Sequence, residues 1–476
     1  MATPAPAAAS FSRGYRGWLL ALLVITNAFN LADRQNMAVM GQAIKLDFSF
    51  TDHDWGLIQG PTFAVLYTLM GLPIARLAEH TSRIRIIAVC LALFGVASAL
   101  CGTTVGFWTL ALCRVGVAIG DAGFGPPVSS LIGDHYPMTK RASAMSILWL
   151  GAPLGVLFGA NFGGWMAENA SWRYSFISVG SAAVVFSLVV LFSLREPPRG
   201  MSDPAGLVTS RPPPVMTAAR FLFSKPSVRY LLLGCLFAAI SMNAIGQWLA
   251  PFLVRSYHIG YAAAGRLVGQ IAVAAMASGL VLGGFGVDWG GRFDKRWYVW
   301  GPALGIALAA PLFFFGFNQP TLLAVGLLLV AAHICMFVYY TPTFAMAQNM
   351  VGAEMRASSA FVVSFTQGLG IFIGPTLVGY LSDAYAARVF PAFGAFKTVC
   401  PGGVAPKGSV PSLIEACSGA SASGLKYALM TASLLCLVSA LFYLLASRRL
   451  RPDLERRYVP EAESASGARA VPAQPA

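Results

Sequence analysis

Between Ile86 and Cys113 the chain carries no Asp, Glu, Lys or Arg, and none occurs from Trp297 to Gly352 either. Runs of this kind recur along the sequence, and they decide the class of fold. About 20 apolar residues in a helix cross the roughly 30 Å hydrocarbon core of a bilayer, and a series of such runs is accommodated in lipid or in a bundle within lipid. Composition agrees: 57% of the 476 residues are hydrophobic and 11% charged, where a soluble domain carries about 25% charged residues. A large soluble enzyme is thereby excluded.

The apolar runs predict twelve spans: 17–42, 55–78, 84–103, 106–131, 142–167 and 172–194, then 229–254, 264–288, 297–316, 321–350, 357–383 and 425–446. Short turns leave neighbours antiparallel. The formal charge of +14 would in a soluble chain suggest nucleic acid. Its placement argues otherwise, because 23 of the 33 Lys and Arg fall in alternate connections and the two tails. That asymmetry puts both termini on the cytoplasmic side. The start, MATPAPAAASFSRGYRG, shows no cleavable signal and reads as a short tail over 1–16. The Pro-rich, charged stretch 195–228 reads as a cytosolic linker between bundles at 17–194 and 229–446, and 447–476 as a disordered tail.

The halves echo each other. ARLAEHTSRIR follows span two and GGFGVDWGGRFDKR follows span eight. Each has an acid four residues before an arginine: Glu79 and Arg83, then Asp288 and Arg292. Arg141 and Arg356 likewise open matching spans in TKRASAMS and EMRASSAF. The expectation is an all-α membrane protein of twelve transmembrane helices in two pseudo-symmetric six-helix bundles, a plan suited to alternating access. Glu79, Arg83, Asp288, Arg292, Arg141 and Arg356 are the expected cytosolic gate; the alternative is a set of fixed loop staples.

Charge inside the spans is the mechanistic signal. Asp33 and Arg34 stand side by side in span one; Arg114 and Asp121 stand seven apart in span four, on one helix face about 10 Å apart along the axis. Counting from the span ends puts Asp33 near the height of Arg114, and Arg34 within reach of Asp121. Two acids with two bases form a formally neutral cluster, whose burial is tolerable. Binding a proton to one acid would free an arginine and alter helix packing, so these four residues are the proton-coupling candidates, Asp33 first. A purely structural ion network is the alternative. Mid-depth polar and aromatic groups offer a solute path: Asn27, Asn30, Asn243, Gln247, Trp248, His333, Tyr339, Tyr340, Ser364, Thr366 and Gln367. Phe29, Phe63, Phe158 and Phe361 are apolar candidates around them. The mixture suits an amphiphile with its head near Asp33 and Arg34.

Other chemistries lack their motifs. The glycines of GDAGFGPP and QGLGIFIGP have neither the strand–loop–helix context nor the Lys-Ser/Thr ending of a nucleotide site. No spacing suits a metal, so neither cofactor nor metal is expected, with the proton as coupling ion. Partners are an amphiphilic solute and membrane lipids, without nucleic acid or nucleotide, acting on a monomer. Cys400 and Cys417 lie in an outer insert at 384–424, and the sequence accommodates either a disulfide there or two free thiols.

These residues also carry a resemblance. ARLAEHTSR resembles the signature of the major facilitator superfamily between its second and third helices, with Glu79 at the usual Asp and Ala75 at the usual first Gly. Gly284, Asp288 and Arg292 repeat it, and RVGVAIG resembles the fourth-helix signature. Within that superfamily the chain resembles the Spinster group, on NLADRQNMAV, GDAGFGPPVSSLIGDHYPMTKRASAMS, MRASSAF and GPTLVGYLSD. That group usually shows Asp-Arg in helix one, matching Asp33 and Arg34, and Gly-Glu-Ala where Gly120, Asp121 and Ala122 stand. The resemblance implies movement of a lysophospholipid-like amphiphile across a bacterial inner membrane, proton-coupled or facilitative. A proton-driven exporter of drugs or organic anions is the alternative. The shorter Asp121 keeps the charge and reduces its reach.

Overall fold

The computed structural model describes residues 11–136, 138–198, 201, 215–351, 355–390 and 394–455, and the regular structure among them is helical. The first half comprises α1 (Arg13–Val39), short α2 (Gly41–Phe48), α3 (Asp52–Gln59), α4 (Pro61–His80), α5 (Arg83–Cys101), α6 (Phe107–Ala122), α7 (Gly125–His135), α8 (Met138–Trp149), α9 (Gly151–Asn169) and α10 (Trp172–Ser193). After α11 (Val215–Ser224), the second half comprises α12 (Pro226–Tyr257), α13 (Tyr261–Val281), α14 (Val287–Gly291), α15 (Trp297–Gly316), α16 (Leu322–Phe337), α17 (Tyr340–Asn349), α18 (Arg356–Val389), α19 (Phe396–Val399) and α20 (Pro411–Glu455).

Among the described residues, eleven continuous or broken helices are long and apolar enough to cross a bilayer. α1, with 27 residues, has the length but is diluted by Asn27, Asn30, Asp33, Arg34 and Asn36. Those same polar residues make α1 the centre of the site. Several spans are broken where the sequence forces it. Pro61 opens α4, Pro126 and Pro127 lie in the first turn of α7, and Pro342 lies in that of α17. Proline has no N–H to give the preceding turn and its ring crowds that turn's carbonyl. α13 passes to α14 through a π-helical turn at the glycine-rich Leu282–Gly286. The helices flanking the insert run further than the apolar pattern marks, to Val389 and back from Pro411. AlaSer-rich residues 416–424 are helical here although their hydropathy is low.

Equivalent helices pack alike in the two halves. α1 lies on α9 as α12 lies on α18, and α5 lies on α10 as α15 lies on α20. The contact of α1 with α9 is a ladder. Gly151, Gly155, Gly159 and Gly163 face Val24, Ala28, Ala32 and Asn36, four residues apart on both helices. A Cβ at any of these glycines would collide with α1, mostly with its backbone carbonyls. Small residues at this spacing let helix backbones approach closely, and here they fix the turn of α1 that bears Asp33. Between halves, α9 meets α13, and α3 and α4 meet α18.

Candidate functional site

The last turns of α1 bring Asp33 against α5 and α6. Arg114 donates from Nη1 to Asp33 Oδ2 at 2.8 Å, and Ser98 donates from Oγ to Oδ1 at 2.5 Å. One residue on, Arg34 donates from Nε to Asp121 Oδ2 at 3.1 Å, with a second bond from Nη2. The side chains of Asp33 and Arg114 are 0% and 2% exposed, whereas that of Arg34 is 22% exposed. One pair is sealed and the other is reachable. Phe63 joins them: its ring centroid lies 4.3 Å from the Arg34 guanidinium carbon and 5.2 Å from that of Arg114. Tyr67 stacks on Phe63, and its own ring centroid lies 4.9 Å from the Arg34 guanidinium carbon. Cation–π contacts are worth about 0.5–1 kcal/mol where exposed and about 2 kcal/mol where desolvated. They keep a guanidinium in place when its carboxylate partner changes.

The other polar candidates divide by what they touch. Tyr340 lies within electrostatic reach of Tyr67 and Arg34, across the interface between halves. Gln247 accepts from Gln59 at 3.1 Å, which ties the halves together. Asn27 donates to the Leu148 carbonyl and Trp248 to that of Pro375, bonds that tie neighbouring helices, while Asn243 donates to the Ala239 carbonyl within α12. Asn30 is buried on α1. His333 bonds the Leu329 carbonyl and meets Phe313 edge-on. The Tyr339 hydroxyl contacts Met242 sulfur, Thr366 bonds the Val362 carbonyl, Gln367 sits beside Cys235 and Ser364 is exposed. Phe29 packs on Phe186, Phe158 on Phe162 and Phe361 on Phe365.

On the side bearing the linker, several of the expected gate residues make bonds within their own halves among the described residues. Arg83 bonds Asp134, Ser130 at 2.8 Å and Glu196 at 2.7 Å. Arg141 bonds the carbonyls of Gly133 and Tyr136. Asp288 accepts from Tyr298, and Arg292 is exposed. The side chains of Glu79 and Arg356 lie outside the described residues.

The opposite side, bearing the insert, holds a node that the sequence reading missed. Asp52 opens α3 and takes a two-pronged pair from Arg255 of α12, at 2.8 Å on each oxygen. Lys45 and Ser382 complete its shell. Asp383 accepts from the backbone N–H of Asp52 at 3.1 Å and of His53 at 3.2 Å, as an anion at a helix N-terminus does. Gln42 accepts from Arg255 at 2.7 Å. Three elements, α2, α12 and α18, thus converge on one carboxylate carried by α3. The signal available was the capping box of Thr51 and Asp54, which marks the helix start. Cys400 and Cys417 form a disulfide, and Lys397 of that insert pairs with Asp383 at 3.4 Å.

Burial first, and then the nearby Arg255 guanidinium, lower the Lys45 ammonium from its ordinary 10.5 to about 8, against the pull of Asp52. A hydrated Lys45, freed by opening of this side, would recover its ordinary value. The closed form therefore releases its proton first as pH rises, and linkage favours the form that binds fewer protons. We expect the closed fraction to rise between about pH 8 and pH 10.5, and Lys45→Met to flatten the dependence. Spin labels at positions 169 and 388, exposed on this side in opposite halves, would report it.

Residues 20–375 match the Major Facilitator Superfamily. The chain belongs to that superfamily. Within it, the chain is similar to the crystal structure of a bacterial homologue of the human lysosomal transporter Spinster in an inward-facing, unoccupied conformation. The TM-score is 0.85 and the identity 30%, over 94% of this chain and all of that one. An MFS-type efflux pump of Mycolicibacterium smegmatis is 26% identical over 92% of this chain and 94% of its own length. A probable sphingolipid transporter, spinster homolog 3 of Arabidopsis thaliana, is 29% identical over 38% of this chain and 37% of that one. This superfamily member is therefore a multi-pass membrane transporter related to Spinster proteins, and not an enzyme. Among its described residues no group of three or more His, Cys, Asp or Glu could hold a metal ion. What its site offers instead is a sealed carboxylate beside a reachable guanidinium.

Proposed function

We propose that this transporter moves a lysophospholipid-like amphiphile across a bacterial inner membrane by alternating access, coupled to protons through Asp33 and Asp121. The observation that carries the reading is the unequal exposure of the two ion pairs. Asp33 and Arg114 are sealed, so the carboxylate there is suited to a proton rather than a solute; Arg34 is reachable, so its guanidinium is suited to an anionic headgroup. Headgroup binding at Arg34 would compete with Asp121, and the freed Asp121 would then take a proton. Phe63, Tyr67 and Tyr340 around Arg34 supply apolar surface for the adjoining chain. The ion node at the insert side, where Arg255 of α12 grips Asp52 of α3, supports an inward-facing form, with both termini cytoplasmic and the protein acting as a monomer.

The full-length similarity to an efflux pump supports a second reading, proton-driven export of drugs or organic anions. Uptake of a labelled lysophospholipid into proteoliposomes separates the two. The proposal expects saturable uptake, inhibited by unlabelled lysophospholipid and not by a small dicarboxylate or a cationic dye. No uptake above protein-free vesicles, with transport of the dye, would replace it by the second reading.

A further inference from the structure

Asp33 has one hydrogen-bonded partner on each oxygen, and the two differ in kind. Oδ2 faces the Arg114 guanidinium, which has donors and no acceptor. Oδ1 faces the Ser98 hydroxyl, which can donate or accept. Both Ser98 and Asp33 are fully buried, so water does not replace a partner that is lost. A proton placed on Oδ2 would point at N–H groups. A proton placed on Oδ1 finds a lone pair of Ser98, whose own hydrogen can turn to the carbonyl one helical turn back, as helical serines do. The step adds one proton to one oxygen, breaks no bond between heavy atoms, and leaves no buried polar hydrogen unpaired at this position.

We infer that Ser98 is a positioning residue for the transport reaction: it directs the coupling proton to Oδ1 of Asp33 and sets the pH at which that proton binds. The inference rests on the proposed role of Asp33 as proton carrier. The groups facing this carboxylate are Arg114 on α6 and Ser98 and Cys101 on α5, with Cys113 next to Cys101 and Arg34, Asp121, Phe63 and Tyr67 beyond them. Of the two groups bonded to the Asp33 oxygens, Ser98 is the one whose hydrogen bond can reverse. As donor to the carboxylate it makes a charge-assisted bond, stronger than the neutral bond it accepts from the acid. Its removal therefore favours the protonated form.

The test is an infrared titration of the reconstituted protein, reading the carbonyl stretch of a protonated carboxyl, with Asp33→Asn identifying the band. Ser98→Ala is expected to move the midpoint of the Asp33 band to higher pH by about one unit, and to move the pH profile of lysophospholipid uptake with it. Ser98→Thr keeps the hydroxyl and is expected to keep the native midpoint. Ser98→Cys, a weaker donor of similar size, is expected to give an intermediate midpoint, and it serves if the alanine variant folds poorly. A titrating Asp33 band with the same midpoint in the native, alanine and cysteine proteins would overturn the inference and leave the role of Asp33 intact. No Asp33-dependent band between about pH 4 and pH 9 would overturn both.

Discussion

Asp33→Asn is expected to abolish proton-driven accumulation of solute while leaving the binding of solute at Arg34. With one proton per solute, each pH unit across the membrane sustains about a tenfold concentration ratio, since one unit is worth about 1.4 kcal/mol. The variant should therefore fall from a ratio of about ten to about one, measured as steady-state lysophospholipid in proteoliposomes under a one-unit gradient. Asparagine matches the size of aspartate but leaves Arg114 as a buried charge with no carboxylate, and loss of one partner of a buried pair costs about 3–5 kcal/mol. Poor folding could then mimic lost coupling. The double variant Asp33→Asn with Arg114→Gln removes both charges and separates the two causes. It should recover folded protein and still fail to accumulate solute.

The second large effect is expected at the insert-side node. Asp52 receives Arg255, Lys45 and Ser382, all in a buried setting. Asp52→Ala leaves two cations facing each other without their anion, which costs the closed form about 3–5 kcal/mol. Opening hydrates both cations, so the cost falls mainly on closure. A change of that size moves a closed-to-open ratio by about 100-fold or more. Spin labels at positions 169 and 388 should show a longer distance becoming the main population. Asp52→Asn keeps acceptors for Arg255 and should give a smaller shift. Unchanged distances in both variants would mean that the backbone packing of Gly56, Gly60 and Gly379 against their neighbours holds this side shut by itself.

Long-range partners separate what the sequence discloses from what it hides. Hydropathy and the repeated acid–arginine loops disclose two bundles, because burial in lipid leaves a periodic trace in every span. The pairing of Asp33 with Arg114 was legible for a related reason: charges inside antiparallel spans can be ranked by height, and few bases stand at the height of Asp33. Asp52 offered no such constraint. It lies at a span end, where charge is ordinary, and its partner Arg255 is 203 residues away. Gln247 and Trp248 show the converse. Polar type at mid-depth marks them as solute contacts, yet one bridges to Gln59 and the other donates to the Pro375 carbonyl of α18. A sequence gives the presence of a hydrogen-bonding group but not the direction in which it faces. The loop echo is also only partly structural, since Arg83 is buried among four partners and Arg292 is exposed.

The most direct test of the central claim is to record proton and solute movement together. Proteoliposomes loaded with a pH-sensitive dye would receive lysophospholipid with no gradient imposed. The account predicts a change of internal pH that follows solute uptake, is absent in Asp33→Asn, and persists in Arg34→Lys with half-saturation at higher solute concentration. Solute uptake without any change of pH in the native protein would contradict it, and would leave the sealed Asp33–Arg114 pair as a fixed support of the first bundle.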